Sequence, residues 1–253
     1  MRTTVYEDTY SRGGHEFCKK VDTASGTFAL SMDGKAVTLD EWNRAVNRYF
    51  PMSLKSAHGN ALIRMKERSR IRGLVRLLLQ DHPKSVADVG CEAGHIAREM
   101  LPYVERIVCI DSDPEMAAKA LGSLRSPKAS ALVADASELP VQAHSLDALL
   151  AASILEHVAR PVAAVKEFAR LVRPGGLVLV SVPNDRAVMR IKTILRATGL
   201  GRLLGRLASG LAMGHIHVFT RATLREVAAS AGKVIRCGFL RPFLLDIYAL
   251  VRV

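Results

Sequence analysis

Ser85-Val86-Ala87-Asp88-Val89-Gly90-Cys91-Glu92-Ala93-Gly94-His95-Ile96-Ala97 carries a short apolar run into a turn punctuated by two glycines. A second apolar run, Ile107-Val108-Cys109-Ile110, ends in Asp111. Strand, tight turn, helix, strand and an acid at the strand tip form the βαβ arrangement that holds nucleoside-bearing ligands. Glycines let backbone approach the ligand, and the acid can accept hydrogen bonds from ribose hydroxyls. The dinucleotide fingerprint wants three glycines to seat a pyrophosphate, whereas this turn has Gly90 and Gly94. Two-glycine turns are common in α/β proteins, so this stretch alone leaves an ordinary α/β domain open.

The residues downstream extend the pattern. Ala131-Leu132-Val133-Ala134-Asp135-Ala136 reads as a third strand ending in an acid, and 146–152 as a fourth. Arg160-Pro161 opens a helix running to about Val172. Arg173-Pro174-Gly175-Gly176 is expected to stop it through a glycine cap and turn into the apolar run 177–182. Apolar strands alternating with helices predict a parallel sheet covered on both faces.

In this region the chain resembles the class I S-adenosylmethionine-dependent methyltransferases. Asp88-Val89-Gly90-Cys91-Glu92-Ala93-Gly94, Ile110-Asp111-Ser112-Asp113-Pro114-Glu115-Met116, Ala134-Asp135-Ala136, Leu155-Glu156-His157-Val158 and Leu171-Val172-Arg173-Pro174-Gly175-Gly176 are similar to that family's successive motifs, in order. The last two are most similar to the small-molecule branch that includes ubiquinone-biosynthesis O-methyltransferases. The resemblance covers roughly residues 85–184, and weakly 215–239. It implies a Rossmann-like, doubly wound α/β sheet of about seven mostly parallel strands. It adds N-terminal helices and a helical insert after the fifth strand.

The resemblance also implies roles. Asp88 would support the turn, and Gly90, Cys91 and Gly94 would line the methionine part of S-adenosylmethionine. Asp111, with Ser112 beside it, would hold the ribose. Asp135 would take the adenine amino group, with Ala136 supplying a backbone amide. Ala152 and Ser153 would lie near the sulfonium. The competing reading makes Asp111 and Asp135 caps of the elements that follow them.

Two departures from the family pattern matter. The family usually has glycine where Glu92 stands; a carboxylate there can repel the cofactor carboxylate, and a left-handed backbone suits glutamate poorly. In the ubiquinone branch a glutamate three residues before the Glu-His pair helps bind a divalent cation, and here that position is Ser153. Glu156 and His157 alone make a poor magnesium site, so no essential metal is expected. His157 then becomes a general-base candidate, since imidazole takes a proton near neutral pH. The alternative gives it a loop-anchoring role. His215 and His217 are rivals, and their spacing predicts that they share one face of a strand.

At 253 residues the chain is long enough for a sizeable core. The expected division is an N-terminal helical cover, 1–82, and a methyltransferase domain, 83–253, with a basic amphipathic insert at 185–214. The N-terminus shows no signal-type apolar region, and no apolar run reaches membrane-spanning length. Scattered Cys18, Cys91, Cys109 and Cys237 point to a reduced, cytoplasmic protein. Net charge is +12, divided as +6 over residues 1–84, −4 over 85–185 and +10 over 186–253. Basic flanks concentrate anionic partners.

In the insert, Arg186, Arg190, Lys192, Arg196, Arg202 and Arg206 interleave with aliphatic residues at helical spacing, and Gly199 and Gly201 divide two expected helices. That pattern fits a lid or a peripheral anionic membrane contact over 186–206. Nucleic acid is the less favoured partner, because aromatic residues make up 5% of the chain and none forms a stacking tract among the basic runs.

Nearer the N-terminus, Asp33-Gly34 predicts a hairpin and Thr38 with Glu41 a capping box. Residues 60–79 read as a helix carrying arginines around an apolar stripe. Residues 1–25 show weak periodicity. The leading expectation is methyl transfer to an oxygen of a small or lipid-like metabolite. A nucleic-acid methyltransferase and a cofactor-free binding subunit are the alternatives.

Overall fold

The computed structural model describes residues 5–22, 27–49, 61–188, 190–191 and 215–253. The chain divides into two units, one from 1–52 and 184–218, the other from 53–183 and 219–253.

The larger unit is built on seven strands: β5 (Ser85–Val89), β6 (Arg106–Asp111), β7 (Ala129–Val133), β8 (Leu146–Ala152), β9 (Val172–Pro183), β10 (Lys233–Phe239) and β11 (Asp246–Arg252). Their order is β10-β11-β9-β8-β5-β6-β7. The strands β7, β6, β5, β8 and β9 pair in parallel, while β11 is antiparallel to both β9 and β10. Helices α2 (Ala61–Leu78), α3 (His95–Met100), α4 (Pro114–Leu124), α5 (Pro161–Leu171) and α6 (Arg221–Ala228) cover the sheet. Strand residues alternate between its faces. Val86, Ile107, Cys109, Leu150 and Leu179 join Leu74 and Leu78 of α2 and Met100 of α3 in one core. Ala87, Val89, Ile110, Leu149 and Val180 join Phe168 of α5 and Leu224 of α6 in the other. This is the doubly wound sheet the sequence predicts.

Two details differ from expectation. α5 ends at Leu171 and passes straight into β9, with Val172, not a glycine, as its extended cap. Gly175 sits within β9 at φ +80°. β7 stops at Val133, so Asp135 lies beyond the strand rather than at its tip. Its carboxylate Oδ1 instead accepts the backbone N–H and hydroxyl of Ser137, at 2.7 and 2.6 Å, closing a local turn.

The smaller unit contains an antiparallel sheet, β1 (Val5–Arg12), β2 (His15–Asp22), β3 (Thr27–Met32) and β4 (Lys35–Ala36), in sequential order, and helix α1 (Leu39–Tyr49). Strands therefore occupy 5–22, where the sequence showed little periodicity. Gly13-Gly14 and Asp33-Gly34 make the two-residue turns, all four at positive φ as such hairpins require. Thr38 and Glu41 form the expected capping box, with Thr38 N donating to Glu41 Oε2 at 2.8 Å and Glu41 N to Thr38 Oγ1 at 3.3 Å. Phe17, Leu30, Trp42 and Ile216 make the core of this unit.

Of the insert, residues 185–188 and 190–191 are helical, and the rest of the expected helix pair lies outside the described residues. Residues 215–220 carry no strand, so the expected one-face placement of His215 and His217 on a strand does not hold. Among the described residues, no helix is long and apolar enough to cross a membrane.

Candidate functional site

Open parallel sheets bind ligands outside the carboxyl ends of their strands. In the larger unit, the ends of β5, β6 and β8 bring together most of the sequence-predicted residues. The turn after β5 is pinned to β6: Gly90 N and Cys91 N both donate to Ile110 O, at 2.7 and 3.1 Å. Gly90 has φ +72°, and a Cβ there would come within 3.1 Å of Ile154 Cδ1. Glu92 stands at φ +46°, so the position does require the left-handed backbone that glycine would supply more easily.

Asp111 holds this turn. Its Oδ2 accepts Glu92 N at 2.9 Å and its Oδ1 accepts Asp113 N at 3.0 Å. The helix cap of α4 is Asp113, whose Oδ1 accepts Glu115 N at 2.8 Å, so Asp111 is not the N-cap. Burial pushes the Asp111 pKa upward against these backbone bonds. Ser112, beside it, is exposed.

Asp88 sits beneath the turn, 1% exposed. It accepts the backbone N–H of Ala97, near the start of α3, while its Oδ2 has no hydrogen-bond partner. Burial pushes its pKa up to about 7; Asp111 and Glu92 add to this, and the Ala97 bond and Arg70 oppose it. Cys91 is buried, and its thiol pKa is raised by a hydrogen bond with the Cys109 thiol and then by burial.

Arg70 of α2 is a candidate site residue that sequence reasoning missed. It shares a helical row with Leu74 and Leu78, both fully buried, and so faces inward rather than joining the solvent-facing arginines. Its Nε and Nη2 donate to Glu67 Oε1 at 2.8 and 2.5 Å, and its Nη1 donates to Ser153 Oγ at 3.4 Å. Burial works against its charge, but Glu67, Asp246 and, more weakly, Glu92 hold its pKa above the ordinary value. The Arg70-Leu74-Leu78 row was the available signal. Ser153 follows β8 at φ +57° and donates its backbone N–H to Ser181 O at 2.8 Å; Ala152, the last residue of β8, is 9% exposed.

Ala136 is buried and Asp135 exposed, next to a depression of about 600 Å³ lined by Val133, Ala134, Ser137 and Leu139. Glu156, 1% exposed, and His157 lie in the turn after β8, where His157 N donates to Ile154 O at 2.9 Å. His215 belongs to the smaller unit. There its Nδ1 lies 3.1 and 3.0 Å from the two carboxylate oxygens of buried Asp185, and its carbonyl accepts from Lys19 Nζ at 3.0 Å. Nothing in the sequence marked Asp185 as its partner.

The sheet order, the pinned glycine turn and the acid ending β6 define an α/β protein of the doubly wound class. Residues 87–180 match the family described as "Methyltransferase domain". The chain is similar to the ubiquinone biosynthesis O-methyltransferase of Xanthomonas oryzae pv. oryzae, 32% identical over 124 residues. That alignment covers 48% of this chain and 52% of the relative, so the chain spans about half the length of that protein. A homologue of the same name from Xanthomonas axonopodis pv. citri is 29% identical over 185 residues, covering 71% and 74%. Among solved structures, the N-methyltransferase NodS from Bradyrhizobium japonicum WM9, in complex with S-adenosyl-L-homocysteine, shares the fold with a TM-score of 0.60 at 18% identity. That match covers 85% of this chain and 97% of that one. Residues 87–180 thus match a methyltransferase domain, and the structural likeness shows a shared fold.

Proposed function

We propose that this protein transfers a methyl group from S-adenosylmethionine to an oxygen of a small or lipid-like metabolite. The observation that carries the reading is Asp111, held at the carboxyl end of β6 by two backbone N–H groups of the surrounding turn. The residues present fit the cofactor: Gly90 leaves a cradle that a Cβ would fill, and Asp88 keeps an orphaned buried oxygen beneath it. Asp111 and Ser112 would take the ribose, and Asp135 and the Ala136 amide the adenine. Gly90, Cys91 and Gly94 would border the methionine part, and Ala152 and Ser153 the sulfonium. Arg70 offers a guanidinium that offsets Glu92 and suits the methionine carboxylate. The bound cofactor supplies an already activated methyl group. The protein aligns the acceptor and removes its proton where needed, with His157, supported by Glu156, or His215 as the base. The O-methyltransferase relatives support oxygen as acceptor.

The test is to incubate purified protein with methyl-labelled S-adenosylmethionine and fractionated cell extract. Label in the small-molecule or lipid fraction, absent with Asp111→Ala, is the expected result. Label in RNA or protein overturns the substrate class. Failure to bind S-adenosylhomocysteine would turn the reading to a binding subunit, for which the carboxylate of Glu92 in the glycine turn is the specific observation.

A further inference from the structure

The outward face of α2 has no role in the site described above. Arg64, Arg68, Arg72 and Arg76 repeat every four residues and form one exposed row. Together with Arg241, from the β10–β11 connection, they line a depression of about 590 Å³ whose remaining walls are Ala61, Met65, Ser69 and Gly73. Among the described residues, no acidic residue lines it. The one carboxylate of the helix, Glu67, is turned to Arg70. Among the described residues, no carboxylate is ion-paired with Arg68, Arg72, Arg76 or Arg241. Thirteen residues of helix carry the row over roughly 18 Å.

Aliphatic side chains stand among these charges. Met65, within the depression, is 55% exposed, and Leu244, three residues after Arg241, is 46% exposed. Gly73 lets the connection pack close, since a Cβ there would meet Leu240 Cδ2 at 3.4 Å. Among the described residues, the lining holds no aromatic side chain on which a base could stack. A row of guanidiniums with protruding aliphatic tips is the chemistry of an interface with anionic lipid, where phosphates pair with arginine and aliphatic groups reach the acyl boundary.

We infer that the α2 face, with Arg241, docks the protein on an anionic phospholipid bilayer. Its docking does not depend on the methyl-transfer reading.

The experiment is co-sedimentation of the full chain with vesicles of phosphatidylcholine containing 30% phosphatidylglycerol (about one anionic lipid in three, as a strongly anionic surface needs), against vesicles of phosphatidylcholine alone. The expected result is binding to the anionic vesicles alone, weakened by added salt. Arg64→Gln/Arg68→Gln/Arg72→Gln/Arg76→Gln should reduce the partition coefficient more than 100-fold, at about five-fold per charge. S-adenosylhomocysteine affinity and Tm should stay unchanged, because these positions are exposed and glutamine keeps helix propensity. Met65→Ser should weaken binding several-fold at high salt. Equal vesicle binding by wild type and the quadruple variant overturns the inference, as does no vesicle binding at all. Single-stranded RNA held more tightly than vesicles, and released by the quadruple variant, also overturns it by making the face a nucleic-acid surface.

Discussion

Asp88 is a carboxylate whose environment opposes its own charge. Its folded pKa of about 7 lies above the ordinary 3.8, because burial disfavours the ionised form. Between those pH values the folded state holds the proton more tightly than the unfolded state. Stability therefore falls as pH rises from about 4 to about 7, then levels off. Asp88→Asn removes this dependence. Relative to that variant, the wild type should lose on the order of 4 kcal/mol across the window, as urea midpoints at several pH values would show; a pH-independent difference would refute it. Asp111→Asn keeps the shape but weakens acceptance from ribose hydroxyls. It should loosen S-adenosylhomocysteine binding at least ten-fold by calorimetry, roughly the 1.5–3 kcal/mol of a charged hydrogen bond. Glu92→Gly relieves a left-handed glutamate and removes a negative charge beside the site. It should raise stability by about 1 kcal/mol and tighten S-adenosylhomocysteine binding; weaker binding would show that Glu92 contributes to the site. At this scale, legibility followed local geometry. The strain at Glu92 was readable because a glycine was expected in its place. Arg70 escaped because its meaning lies in what α2 packs against, and Asp185 because its partner is 30 positions away.

Elements were readable where periodicity and caps agreed. β5, β6 and β8 are apolar runs buried on both faces, and α1 begins at a Thr38–Glu41 box visible in the sequence. The hairpin at Asp33-Gly34 was legible for the same reason. β1 and β2 were not, although Gly13-Gly14 joins them by a turn of the same kind. In β2, buried Phe17, Lys19 and Val21 do alternate, but the lysine hides the apolar signal. α5 ends without its expected glycine cap because Val172 adopts an extended conformation and joins the sheet at once. Gly94 shows what a required glycine means for an element. At φ +76° it caps α3, and a Cβ would press on Ala120 Cα at 3.1 Å. Gly94→Ala should destabilise the larger unit by roughly 1–3 kcal/mol, read by chemical denaturation, through both backbone strain and crowding of α4.

Over the whole chain, the strand-helix alternation predicted the doubly wound sheet, and the smaller unit escaped because it is assembled from residues 1–52 and 184–218. Local signals do not report a partnership between distant stretches. If the cofactor reading holds, S-adenosylhomocysteine at a hundred times its Kd should add about 2.7 kcal/mol to the stability of the folded protein. A rise in Tm that Asp111→Ala abolishes would check this.

The order of the sheet also has a consequence for synthesis. β9 is apolar and buried on both faces, yet one of its edges pairs only with β11, which leaves the ribosome about sixty residues later. At elongation rates of about 5–20 residues per second, that edge waits several seconds for its partner. A nascent chain halted before β11 presents an unpaired strand to its neighbours, so β11 acts as the closing stitch between β9 and β10.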